Sequence, residues 1–294
     1  MKKYRKWSWD EAGIGDGKEF IAWEQVRSFA VGAGGPPHAR MSGFDLRVTS
    51  RDGTSIWISE GSPLRRILGL QVPYERLMGI LALAWDAEGH IIHKAGPRLA
   101  EEFRHDLAVG GQIAFEAGRL SADGVAYGPH FVPNDRIRCA QRKAGGTIWV
   151  GCLDKDSRPW VWPLSPRDNV FLLERHFLSI AETNKPSLAR DILERNLRMD
   201  FCRVCIDRQG IELKAFRPFG GTRRIPWHAF LNYSLVGRDL REPCSRNLEL
   251  TYLDQAGEVV HEDLGRYPEI DNMDLACAYL QALRLAAQAG ETAP

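Results

Sequence analysis

Residues 225–230 read IPWHAF, and they follow a Gly-Ile pair at Gly210-Ile211. Two earlier stretches repeat this arrangement: Gly13-Ile14 with residues 21–26 (IAWEQV), and Gly124-Val125 with residues 132–137 (VPNDRI). Each time, an alternating pattern typical of strands follows the six-residue segment, and a helical pattern comes after it. A fixed order of elements at a period of roughly 90 to 110 residues indicates three copies of one small domain.

The strand patterns predict small antiparallel sheets. In the second and third copies a single strand is predicted before the shared glycine, at residues 112–120 and 199–206. A tight turn, in which the glycine supplies positive φ, then closes a hairpin. A longer hairpin follows the six-residue segment, and its apolar residues alternate, as at Ile148, Val150 and Cys152. This period of two predicts sheets that bury one face.

Helices are predicted to close the copies and to connect them. Asp168-Asn169 precedes an apolar stripe in the second copy, where the aspartate is available as an N-cap, and residues 271–272 repeat the pair in the third. Pro97 and Pro186 are each predicted to begin a helical connector. The resulting domain boundaries are 1–89 for the divergent first domain, 90–108 for a connector, 109–184 for the second domain, 185–198 for a connector and 199–290 for the third domain.

An antiparallel sheet of six or seven strands closed by one amphipathic helix is the plan of the pleckstrin-homology (PH) superfold. Four segments carry a resemblance to a known family: residues 110–115 (GGQIAF), 120–125 (LSADGV), 132–137 (VPNDRI) and 168–171 (DNVF). Through them the chain resembles a bacterial family of domains of unknown function with PH-like repeats, best over residues 107–184. This resemblance implies an α+β, mainly β fold of three tandem PH-like domains, each a sheet or partial barrel closed by a C-terminal helix. The resemblance brings no known activity that could be carried over to this chain.

Charge and hydropathy limit the classes of partner. The 294 residues include 39 Lys and Arg against 38 Asp and Glu, a net charge of +1, so no global field attracts nucleic acid. The basic start at residues 1–7 leads into polar residues rather than the apolar run of a secretory signal. The longest apolar run, residues 77–85, is about half of the ~18 residues that span a bilayer. We therefore expect a cytoplasmic protein with no transmembrane segment and no nucleic-acid partner.

Cysteine and histidine clusters do not predict a metal site. The six cysteines are too few for a disulfide scaffold. Cys202 and Cys205 form a Cys-X-X-Cys pattern, but on a predicted strand they point to opposite faces, and no second pair completes a zinc site. His90 and His93 lie between glycines, which predicts a short strand or loop rather than a helix. We expect no metal, no cofactor and no catalytic residue, and hence a protein that is not an enzyme.

The best candidate binding site is the hairpin tip at residues 214–224. Four cations and Phe219 cluster there around a Gly-Gly turn, and the cations are Lys214, Arg217, Arg223 and Arg224. Arginine can grip a phosphate with two hydrogen bonds while an exposed phenylalanine inserts or stacks. Cations on a hairpin edge also prevent edge-to-edge pairing. The same residues therefore fit two interpretations, a solvated hairpin and a site for an anionic ligand.

Tryptophans supply the second open question. Trp23 and Trp227 occupy equivalent positions in two copies and are predicted to pack in the core, whereas Trp149, Trp160 and Trp162 are predicted as core or interface residues. PH-like folds expose a sheet edge that can take up a peptide. We therefore expect a non-enzymatic scaffold that binds a protein partner. Recognition of an anionic lipid or phosphorylated ligand is the alternative, and an enzyme a distant one.

Overall fold

A computed structural model describes residues 2–4, 7–34, 43–60, 82, 86–115, 118–142, 148–164, 168–214, 221–237, 246–266 and 273–288. These residues form antiparallel sheets and helices, so the predicted α+β class is confirmed. No helix in this part of the chain is both long enough and apolar enough to cross a bilayer.

Three sheets of four strands recur within the described residues. In each sheet, strands that are consecutive in sequence are neighbours. The strands are β1 Lys2–Tyr4, β2 Trp7–Trp9, β3 Gly13–Gly15 and β4 Phe20–Ala22; β8 Ile113–Phe115, β9 Gly118–Ser121, β10 Gly124–Tyr127 and β11 His130–Pro133; and β15 Met199–Phe201, β16 Val204–Asp207, β17 Gly210–Lys214 and β18 Thr222–Pro226.

Three sheets of three strands alternate with them, and in these sheets too consecutive strands are neighbours. A 3₁₀ turn separates the two kinds of sheet at Trp23–Gln25, Asn134–Arg136 and Trp227–Ala229. The strands are β5 Val26–Gly34, β6 Gly43–Ser50 and β7 Ser55–Glu60; β12 Ile137–Arg142, β13 Ile148–Leu153 and β14 Pro159–Leu164; and β19 Phe230–Gly237, β20 Arg246–Leu253 and β21 Val259–Arg266.

The prediction of one strand before the shared glycine was wrong, because each predicted strand is two. In the third repeat, β15 and β16 pair antiparallel with Phe201 opposite Val204, so Cys202 and Arg203 form the turn. Cys202 has φ +66°, and its N–H donates to Asp200 Oδ1 at 3.0 Å. An aspartate two residues before supplies this local bond and stabilises a turn that contains no glycine, asparagine or proline.

The shared glycine permits close strand approach. A Cβ on Gly13 would lie 2.3 Å from the carbonyl oxygen of Ile21, and one on Gly210 would lie 2.2 Å from that of Ile225. Such distances are far inside van der Waals contact. The sequence predicted a turn glycine that supplies positive φ. At Gly210 φ is +148°, but at both positions the facing strand itself excludes a side chain.

The shared tryptophan fixes the turn before that glycine. The Trp23 indole N–H donates to the Asp10 carbonyl at 2.8 Å, and Trp227 donates equivalently to Asp207 at 3.0 Å. Both rings are buried, which confirms the prediction that they belong to the core. The residue before each 3₁₀ turn has φ near the value that proline requires, −68° at both Ala22 and Pro226.

The long hairpins share one turn geometry. Residues 53, 157 and 257 each donate their N–H to the carbonyl three residues before, and each has positive φ. This is a type I turn followed by a left-handed residue. Gly53 and Gly257 adopt φ of +92° and +81°, whereas the second hairpin places Ser157 there at +60°.

Replacing Ser157 by glycine is expected to stabilise the protein by up to about 1 kcal/mol. The left-handed conformation costs a non-glycine residue roughly 1–2 kcal/mol, and the larger entropy of glycine in the unfolded chain offsets part of the gain. Urea unfolding measures the effect. Gly257→Ala is the matched control and should lower the free energy of unfolding. A destabilised Ser157→Gly protein would contradict this account of the turn.

Helices follow the sheets. They are α1, described at residues 86–94; α2, Gly96–Ala108; α3, Val170–Leu193; and α4, Met273–Gln288. The prediction of a strand or loop at His90 and His93 was wrong, since both lie on α1. A glycine inside a helix costs about 1 kcal/mol. Burial of three residues spaced four apart outweighs that cost at Gly89: Ala87, Ile91 and Ala95.

The prediction that Pro186 begins a separate helical connector was wrong, because Pro186 lies inside α3. Proline has no N–H to donate to the preceding turn, which normally ends a helix. Here Leu188 and Ile192, beyond the proline, are 1% and 0% exposed, and the Asn184 amide donates to the carbonyls of Asn134 and Ile137 at 2.6 and 2.8 Å. Packing on both sides of Pro186 keeps the helix continuous.

By the density of contacts, the chain divides into two compact units: residues 1–131, 142–148 and 164–175, and residues 132–141, 149–163 and 176–294. The apolar core of the first unit gathers Ile14, Leu46 and Ile91, and that of the second gathers Phe201, Leu250 and Tyr279. Trp162 is buried and stacks on half-buried Trp160 at 5.4 Å, and Trp149 is half-buried. The predicted boundaries of the three domains and their connectors stay predictions.

Candidate functional site

The predicted basic hairpin is described at its base. Lys214 ends β17, Arg223 and Arg224 lie in β18, and Arg217 and Phe219 lie outside the described residues. In the register of the two strands, Leu213 faces Arg223 and Glu212 faces Arg224. The structure therefore places three of the five predicted residues on two paired strands.

The three described cations of this hairpin all contact carboxylates. Lys214 Nζ lies 2.5 Å from Asp200, and Arg223 pairs with Glu262 while its guanidinium lies 5.2 Å from the centre of the Tyr252 ring. Arg224 bridges Asp207 and Glu212 at 2.9 and 2.8 Å, and the pKa of Glu212 is lowered by its bonds from Arg224 and Arg198. An anionic ligand would have to replace these carboxylates.

The Cys-X-X-Cys pair divides between two environments. Cys202 is exposed in the β15–β16 turn, whereas Cys205 is buried in β16, where burial raises its pKa to about 11. Burial likewise raises the pKa of Cys139 and of Cys152 to about 12. Cys244 lies outside the described residues. Across the described ranges, no group of three or more His, Cys, Asp or Glu could hold a metal ion.

His90 and His93 line an open cleft of about 410 Å³ in the first unit, together with Glu11, Asp86, Gly89 and Lys94. Sequence reasoning did not place these residues together, because it did not predict α1. On a helix, residues three and four apart share a face, which brings His90, His93 and Lys94 together. A Cβ on Gly89 would meet nothing within 4 Å, so the cleft opens over this glycine.

The His90 ring is oriented by Asp86. Its Nδ1 lies 3.0 Å from the Asp86 carbonyl oxygen, which can only accept, so Nδ1 carries the proton. The same nitrogen lies 3.8 Å from Asp86 Oδ2, and the Trp9 indole N–H donates to that oxygen at 2.8 Å. In the neutral ring, Nε2 is therefore the atom with a lone pair to offer a ligand.

Lys94 forms an ion pair with Glu11 at the cleft. The Lys94 side chain is 27% exposed and Glu11 is 83% exposed, so the lysine belongs to the cleft wall and the carboxylate reaches it from the solvent side. The pKa of Glu11 is lowered, first by its hydrogen bond from Lys94 and further by the charges of Lys94, His90 and His93. The environment at this carboxylate favours negative charge.

A second exposed feature of the first unit is Trp57 on β7. Its side chain is 60% exposed, while its neighbour Ile56 is fully buried. β7 pairs with β6 on one side, and no strand in the described ranges pairs with its other edge. The alternation that sends Ile56 to the core sends Trp57 to the outer face.

A buried charge network in the second unit was not predicted. Arg138 and Asp191 are 4% and 0% exposed, and Arg138 Nε donates to Asp191 Oδ2 at 2.8 Å. The Tyr279 hydroxyl donates to the same oxygen at 3.0 Å, and Arg195 donates to Oδ1 at 3.0 Å. Burial is the main cause that raises the pKa of Tyr279, so its hydroxyl stays protonated and acts as a donor. The network joins β12, α3 and α4.

No protein-family model matches the chain, and no curated protein matches it significantly.

Proposed function

We propose that this protein is a non-enzymatic, cytoplasmic scaffold of three PH-like domains that takes up an extended peptide of a protein partner along β7. The threefold order of four-stranded sheet, 3₁₀ turn and three-stranded sheet supports the PH-like interpretation, and α3 and α4 follow the second and third copies. The exposed Trp57 on an edge strand is the observation that carries the proposal.

The β6–β7 turn determines which backbone groups of β7 a peptide would meet. Ser50 N–H donates to the Thr54 carbonyl, so these residues form a hydrogen-bonded pair. In antiparallel strands such pairs alternate with pairs that do not exchange hydrogen bonds. The pairs Thr49–Ser55 and Arg47–Trp57 therefore do not exchange backbone hydrogen bonds. The N–H groups of Ser55 and Trp57 therefore point away from β6, towards an added strand.

The surroundings of Trp57 resemble the anatomy of a binding hot spot. Arg47, directly opposite on β6, donates to Asp168 at 2.8 Å, and Thr49 and Ser55 share a hydrogen bond at 3.1 Å. The Asp168 carboxylate, predicted as a helix cap, makes this ion pair. An exposed tryptophan beside polar groups that bond to one another can anchor an apolar peptide residue without leaving a charge unpaired.

Trp57→Ala is expected to weaken peptide binding at least about tenfold, because tryptophans dominate interface hot spots. Peptides selected from a displayed random library on the full chain are the probe, and fluorescence anisotropy measures their affinity. Ser55→Pro, which removes one outward N–H, should weaken binding as well. Phe131→Ala is the matched control, since Phe131 is 55% exposed on β11. Peptides that bind both β7 variants as tightly as the unchanged chain would refute the proposal.

The alternative is recognition of an anionic lipid or phosphorylated ligand through Lys214, Arg217, Phe219, Arg223 and Arg224. It requires a ligand that displaces four carboxylates: Asp200, Asp207, Glu212 and Glu262. Flotation with anionic vesicles separates the two functions. Binding that is lost in Arg223→Glu with Arg224→Glu and kept in Trp57→Ala would favour the lipid.

A further inference from the structure

The cleft beside α1 is separate from the proposed peptide edge, and its wall combines a lysine that can hold an anion with two histidines. Lys94 carries a positive charge, and His90 and His93 lie on the same helical face. His90 is fixed in orientation by Asp86, whose carboxylate is itself bound by Trp9. The Asp86 carboxylate thus accepts the Trp9 N–H, and Glu11 is the second carboxylate that lines the cleft.

Glu11 occupies the cleft as an anionic ligand would. It belongs to the turn between β2 and β3, where the Asp10 carboxylate accepts the Ala12 N–H at 2.9 Å. Its side chain is 83% exposed, and it reaches Lys94 on α1, far away in the sequence. An exposed ion pair contributes little to stability, so another anion could exchange with Glu11 at small cost.

We propose that this cleft binds a small anion, a carboxylate or a phosphate, whose oxygen replaces the Glu11 carboxylate on Lys94. A phosphate or carboxylate oxygen accepts from the Lys94 ammonium, and an N–H of the His93 ring can donate on the same helical face. The missing side chain at Gly89 leaves the space that the rest of the anion needs. The lowered pKa of Glu11 supports the proposal, because it reports an environment that favours a negative oxygen at this position.

The test is a titration of the full chain with sodium phosphate and, separately, sodium acetate, at ionic strength held constant with sodium chloride. Imidazole resonances of His90 and His93 in ¹H–¹⁵N spectra report binding. Glu11→Gln removes the resident carboxylate and should tighten binding about fivefold, the scale expected for a weak competing ion pair. Lys94→Gln should abolish the saturable shift.

Gly89→Leu is the variant that changes no charge. Its side chain projects into the cleft from a helical position with no neighbour to displace, so it should block binding while the protein stays folded. Lys18→Gln, which removes an exposed cation on the turn before β4, is the control and should leave the titration unchanged. Saturation by phosphate alone or by acetate alone identifies which anion the cleft prefers. The absence of a saturable shift with either anion in Glu11→Gln, or an equal shift in Lys94→Gln, overturns the proposal.

Discussion

Asp191→Ala is expected to destabilise the second unit by about 3–5 kcal/mol, the cost of breaking a buried ion pair by removing one partner. Asp191 accepts from Arg138 Nε at 2.8 Å and from Tyr279 at 3.0 Å. Without the carboxylate, the Arg138 guanidinium stays 4% exposed with an uncompensated charge, and the Tyr279 hydroxyl loses its acceptor. Chemical denaturation measured by circular dichroism gives the change in free energy.

Two further variants separate charge from packing. Arg138→Met combined with Asp191→Leu removes both charges and keeps apolar volume, so it should recover most of the stability lost in Asp191→Ala. Arg195→Gln should cost less than about 1 kcal/mol, because the Arg195 side chain is 56% exposed and water can replace its bond to Asp191. If the double variant is no more stable than Asp191→Ala, the loss comes from packing and not from an unpaired charge.

Gly210→Ala is expected to cost about 2–4 kcal/mol, in the range of substitutions that strain the backbone or overpack a core. The new Cβ would lie 2.2 Å from the Ile225 carbonyl oxygen and 2.9 Å from Pro226 Cα, which are backbone atoms that cannot rotate away. The strands β17 and β18 would have to separate. Thermal unfolding and denaturant titration both measure the loss.

Gly221→Ala is the matched control, since a Cβ at Gly221 meets nothing within 4 Å, and it should change stability by no more than about 0.5 kcal/mol. Gly13→Ala should be destabilising like Gly210→Ala, because its Cβ would lie 2.3 Å from the Ile21 carbonyl. A tolerated alanine at both glycines would show that the strands can move apart, and would contradict close approach as the reason for the repeated residue.

Patterns of local periodicity predicted much of this fold. The α+β class, the alternating strands of the long hairpins and the buried positions of Trp23 and Trp227 follow from side-chain spacing, which the structure confirms. The β15–β16 turn was missed because Cys202 adopts a left-handed conformation that this residue type seldom signals. Gly89 and Pro186 were interpreted as breaks, but burial of neighbouring apolar residues outweighed their local preference.

The candidate sites were less predictable, because they depend on contacts between distant residues. The cations at residues 214–224 are visible in the sequence, but their partners Glu262 and Asp200 are set by strand register. The sequence does carry a signal for Trp57, because alternation along a strand places it on the face of β7 opposite its neighbour Ile56. Asp191 lies on the helical face of Leu188, where a charged residue indicates a buried partner, but nothing local identifies Arg138.

Asn169 pairs with the β5 edge of the three-stranded sheet β5–β7. Its backbone N–H donates to the Phe29 carbonyl at 2.8 Å, and its side-chain oxygen accepts the Phe29 N–H at 3.1 Å, as a neighbouring strand would do. One residue thus occupies β5 at Phe29, on the edge opposite β7. Because Asn169 bonds to both backbone groups of Phe29, another strand cannot pair with β5 at that residue. In the proposed function, the peptide of the partner joins this sheet at β7, and Asn169 limits edge-to-edge pairing at β5.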